Sequence, residues 1–97
     1  MKNDERFVKM IMAVRNAKLD ICYMTNYNSE VERFCKSVID FILALFDDYN
    51  NDFDKKEKTL YGVLDDIAVN STNDKFKLYH YIIIKSACDV LKATRGW

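Results

Sequence analysis

Proline is absent from this chain and glycine occurs only at positions 62 and 96. Inside a helix proline costs about 3 kcal/mol and glycine about 1 kcal/mol, so almost the whole length is free to be helical. The longest uninterrupted apolar run, Phe41 to Phe46, is far short of the roughly 20 residues that span a bilayer, so it reads as core and no membrane partner is expected. With two isolated glycines there is no Gly-rich loop to cradle a phosphate, which excludes the usual nucleotide-binding loops. Four clustered Cys or His ligands would be needed for zinc, yet Cys22, Cys35, Cys88 and His80 contain no C-x-x-C or H-x-x-x-H pair. No metal and no cofactor is expected.

An odd number of cysteines at irregular spacing fits reduced thiols, with Cys35 and Cys88 as small core residues, although one bridge is compatible with the sequence. The mixed charges of Met1 to Arg6 precede no h-region or cleavage site, so a secretory signal is not expected and the cytoplasm is the default compartment. Asn70-Ser71-Thr72 matches a glycosylation sequon, which carries little weight outside a secreted protein.

What is present is a folded composition, 49% hydrophobic and 31% charged, and 97 residues allow one domain with one modest core. The net charge of zero hides a gradient. Residues 1–39 carry seven basic and five acidic groups, residues 40–66 three and eight, and residues 67–97 five and two. Such a chain pairs its own segments, or offers an acidic middle to a basic partner.

Four apolar-periodic stretches predict an all-α bundle of four helices, about 4–24, 30–48, 55–69 and 75–94, antiparallel as the simplest arrangement for short loops. In the first, Phe7, Ile11 and Val14 form the inner row with Val8, Met12, Leu19 and Cys22 beside it. Asn3 is its expected cap, and Arg6, Lys9, Arg15 and Lys18 fall on the outer side. The second opens on a capping box, Ser29 with Glu32, and its apolar residues run nearly all round, so it is expected at the centre. Asp40 is its one charged interruption and is expected to reach solvent or a basic neighbour. The third begins with Asp54 and Glu57 and buries Leu60, Val63, Leu64 and Ile67, with Gly62 permitting a close approach. In the fourth, residues 78–84 favour strand, but the stripe from Phe76 to Leu91 continues at helical spacing and Gly96 suits a stop.

Asp48, Asn50, Asp52 and Asp54 fall at alternating positions of a calcium-type loop, but Phe53 stands where the glycine belongs and Thr59 where the closing glutamate belongs. The segment therefore reads as an acidic loop with caps. His80 and Asp40 have no evident nucleophile beside them, and no catalytic residue is assigned.

The leading expectation is a non-enzymatic helical protein that binds a protein partner, as an inhibitor, immunity-type protein or regulator. Asp47, Asp48, Asp52 and Asp54 would face a basic partner, and the lone tryptophan, Trp97, either folds back or adds an aromatic contact. The alternative is a nucleic-acid-associated regulator using Arg6, Arg15, Lys85 and Arg95 on the first and last helices. A homo-oligomer through the second or fourth helix is compatible with either.

Overall fold

The computed structural model describes residues 2–69 and 74–97. The segment between the third and fourth predicted helices, residues 70–74, therefore lies outside the described residues except for Asp74, and the sequon lies wholly outside them. Four helices follow one another: α1 (Lys2–Met24), α2 (Ser29–Leu45), α3 (Phe53–Val69) and α4 (Lys75–Ala93). Residues 78–84 are helical, and among the described residues there is no strand. The molecule measures 39 × 25 × 21 Å.

The order of the bundle differs from the expectation in one respect. It is α4 rather than α2 that packs against each of the other three helices, while α1 and α3 barely meet. The reason lies in the composition of the inner faces. Helix α4 buries Tyr79, Ile83, Ile84, Ala87, Cys88 and Leu91, a wide stripe able to face three neighbours. Helix α2 buries the narrower row Val31, Cys35, Val38 and Ile42, and Phe41 on its flank is 43% exposed.

Contacts at the two ends alternate along the chain. Arg6 of α1 meets Thr94 after α4, and Asn3 donates to the Tyr49 carbonyl after α2 at 3.3 Å. At the other end Lys18 of α1 pairs with Glu32 of α2 at 2.7 Å, and Phe34 of α2 packs on Phe76 of α4 with ring centres 5.1 Å apart.

Several helix ends differ from the sequence expectation. Helix α1 already includes Asn3, so that residue is no cap. The cap of α2 is Asn28 rather than Ser29: its side-chain oxygen accepts from the backbone N–H of Glu30 and Val31, each at 3.0 Å. Asn and Ser serve this role about equally well, so neighbouring candidates are decided by which backbone is extended, and Asn28 is the extended one. Helix α2 ends at Leu45 with Phe46 as its cap, which leaves Asp47 and Asp48 in the following turn. Helix α3 begins at Phe53, with Asp54 already in its first turn and Glu57 turned inward. Asp74 caps α4, accepting from Phe76 N–H at 2.9 Å. Gly62 is exposed, and a Cβ there would meet nothing within 4 Å, so no close approach explains it. Gly96 has φ +95°, which suits a residue without Cβ at the stop after α4.

Candidate functional site

The inner stripe of α1 is Arg6, Met10, Ile11, Val14, Ala17 and Ile21. Arg6 is thus a core-facing residue, which corrects its expected place on the outer side. Its guanidinium lies 4.8 Å from the Phe53 ring centre and donates to Thr94 Oγ1 at 3.0 Å, the Leu91 carbonyl at 2.8 Å and Glu57 Oε1 at 2.6 Å. Glu57 in turn occupies the buried stripe Phe53, Glu57 and Leu60 of α3. Its other oxygen accepts from the Tyr61 hydroxyl and from Arg95 at 3.2 Å.

Burial pushes the Glu57 carboxyl up, but the hydrogen bonds from Tyr61 and Arg6, the Arg6 charge and Arg95 outweigh it and hold the group below its ordinary value. Burial and the bond to Glu57 push Tyr61 up to about 12. The junction ties α1, α3 and the end of α4 together through Arg6, Glu57, Tyr61, Thr94 and Arg95.

The inward turn of Met10, Val14, Ala17 and Ile21 has a consequence on the opposite side of α1. Val8, Met12 and Leu19, expected beside the core row, are 54%, 58% and 54% exposed, and Tyr23 is 88% exposed. Spacings of four, seven and four residues place all four within roughly 60° around the helix axis. Glu5, Arg15 and Asn16 share this outer face and are exposed. Along one flank a groove of about 360 Å³ runs between α1 and α4, lined by Lys9, Met12, Ala13, Val90, Ala93 and Trp97 among others. Trp97 lines it: its ring centre lies 5.3 Å from the Lys9 ammonium, and its backbone N–H donates to the Thr94 carbonyl at 3.1 Å. The ring remains 40% exposed.

The other sequence candidates are more scattered. Asp47, Asp48, Asp52 and Asp54 are all exposed around the α2–α3 connection, with Asp52 at φ +54°. Lys55, Lys56 and Lys58 follow immediately, and the Lys56 ammonium donates to the Asp48 carbonyl, so the acidic surface is diluted by its own sequence neighbours. Of the four cations proposed for nucleic acid, Arg6 is buried against Glu57, Lys85 pairs with Asp89 at 2.8 Å and Arg95 donates to Glu57 and to Tyr61 at 3.0 Å. Among the described residues, Arg15 alone of the four is exposed and without such a pair.

The three cysteines are free, with Cys35 and Cys88 buried as expected of small core residues. Burial pushes both thiols up, Cys88 to about 11. His80 is half-buried, edge-on to Phe34 at 6.1 Å between ring centres, and burial lowers its pKa. Asp40 is exposed. Among the described residues no group of three His, Cys, Asp or Glu side chains converges to hold a metal ion, and no helix is long and apolar enough to cross a membrane.

Comparison with protein-family models, with curated proteins and with solved structures gave no match for this chain.

The buried pair and the outer face of α1 were both missed in the sequence. Arg6 stands four residues before Met10 on the 6, 10, 14, 17, 21 stripe, and Glu57 stands between Phe53 and Leu60 on its own. Treating charged positions as neutral members of the helical period would have found both. The outer stripe of α1 was hidden because apolar residues occupy both faces of that helix, leaving the period ambiguous.

Proposed function

We propose that this protein acts by binding another protein through the outer face of α1, with the Trp97 groove at its margin, as a small inhibitor, immunity-type protein or regulator rather than as an enzyme. The observation that carries this reading is the row Val8, Met12, Leu19 and Tyr23, each more than half exposed on one side of one helix. Isolated exposed apolar residues are ordinary, whereas several aligned on one helix face and flanked by charge mark an interaction surface. Trp97, Met12 and Tyr23 are of the types enriched at the buried centre of protein contacts.

The acidic connection between α2 and α3 draws less support as the primary contact, because three lysines accompany its four aspartates. It serves in this reading as a rim that steers approach. The nucleic-acid alternative draws less support for a similar reason: three of its four cations already have protein partners. A reducing compartment such as the cytoplasm suits three free thiols.

The test compares partner retention by the wild-type chain, by Met12→Asp and Leu19→Asp on α1, and by the pair Asp47→Lys with Asp48→Lys. Loss of retention in the α1 variants, with only slower association in the loop variant, supports the reading. Full retention by both α1 variants contradicts it.

A further inference from the structure

Building on the protein-binding reading, we propose that the partner on α1 is a second copy of this chain, related by a two-fold axis, with the two α1 helices antiparallel. A two-fold contact requires a patch that is its own complement, because residue i must meet j and j must meet i. The first part of the α1 outer face has that property. From the N-terminal side it reads Glu5, Val8, Met12 and Arg15, an acid, two apolar residues and a base, all exposed. The intervals are three, four and three residues, which is the same read in either direction.

Laid antiparallel about the level of Met10, two copies therefore bring Glu5 against Arg15 of the partner subunit and Val8 against Met12 of the partner subunit, each twice. The charges cannot satisfy each other within one chain: ten residues of helix separate Glu5 from Arg15 by about 15 Å along the axis. Neither forms an ion pair within the described residues. A parallel pairing would instead stack Glu5 on Glu5 and Arg15 on Arg15, which is unfavourable. The spacing also matches helix packing, since three- and four-residue steps generate the ridges that interlock between helices. Leu19 and Tyr23 lie beyond the paired segment, and Trp97 beside Met12 borders it. The sequence expectation of an oligomer through the second or fourth helix is thereby replaced by one through the first.

The experiment is sedimentation velocity on the full chain over a wide concentration range, for wild type, Glu5→Arg, Arg15→Glu, the double charge swap and Met12→Asp, with circular dichroism to confirm unchanged helix. All three substituted sites are exposed, so each variant is expected to fold. The proposal predicts a wild-type dimer, self-association weakened about tenfold or more by each single charge reversal, recovery in the double swap, and a monomer for Met12→Asp. A wild-type chain that stays monomeric throughout, or a double swap no better than its parents, overturns it. If the chain is monomeric while retention of a different protein is lost in Met12→Asp, self-pairing falls and the protein-binding reading stands. If neither self-association nor any Met12-dependent retention occurs, both fall.

Discussion

Arg6 and Glu57 meet at 2.6 Å with each side chain only 7% exposed, joining two helices that otherwise scarcely touch. Neither charge is stranded: Arg6 also reaches Thr94 and the Leu91 carbonyl, and Glu57 also holds Tyr61 and Arg95. Removing one partner from such a pair leaves the other uncompensated in a medium that solvates it poorly. Arg6→Ala is therefore expected to cost about 3–5 kcal/mol, and replacing both by apolar residues, Arg6→Met with Glu57→Leu, to recover most of that loss. Urea unfolding of the two singles and the double checks this; a double variant as unstable as the sum of its singles would contradict it.

The same junction sets an acid limit on stability. Because the folded state holds Glu57 below its ordinary value, the unfolded chain binds that proton first as pH falls. The stabilisation is complete above the ordinary carboxylate value near 4.5 and is lost as pH falls through the lower folded value. His80, lowered by burial, loses its contribution in a higher window that begins as pH drops below 6.5. Chemical denaturation across pH should therefore show two separable declines on acidification. Glu57→Gln should lower stability near neutrality and flatten the more acidic decline alone.

Helix count and the helical nature of residues 78–84 were legible in the sequence, because long apolar stripes at helical spacing are local signals. The centrality of α4 was not, since it depends on how many neighbours a stripe can serve at once. Nor was the fate of α1, where Phe7, Val8, Ile11 and Met12 offer apolar residues on two faces. The choice between those faces is made by packing against α4, at sequence separations that no local window covers. The acidic candidates Asp47, Asp48, Asp52 and Asp54 are all exposed along one connection and the start of α3, of which Asp52 and Asp54 line a common pocket, but Trp97 sits apart from them, on the α1–α4 groove.

A sharper check on local structure concerns the start of α2. With Asn28 satisfying two backbone N–H groups, Asn28→Ala should cost about 1 kcal/mol, whereas Ser29→Ala, inside the first turn, should change stability by a few tenths. Equal effects at the two positions would contradict the cap assignment. Thermal unfolding resolves the difference.

Gly62 gives a prediction of the opposite sign. It lies in the interior of α3, exposed, with room for a methyl group. Gly62→Ala should stabilise the protein by up to about 1 kcal/mol through the lower helix propensity of glycine. A loss of stability there would mean that something covers this face.

The most direct test of the central claim places a photoactivatable cross-linking residue at position 12 of the full chain, in the cells from which it comes, with position 58 on the exposed side of α3 as the control. The account predicts one defined adduct from position 12 and none from position 58, the adduct having twice the chain's mass if the partner is a second copy. No adduct from position 12, or the same adducts from both positions, would contradict the claim that the outer face of α1 is a protein-binding surface.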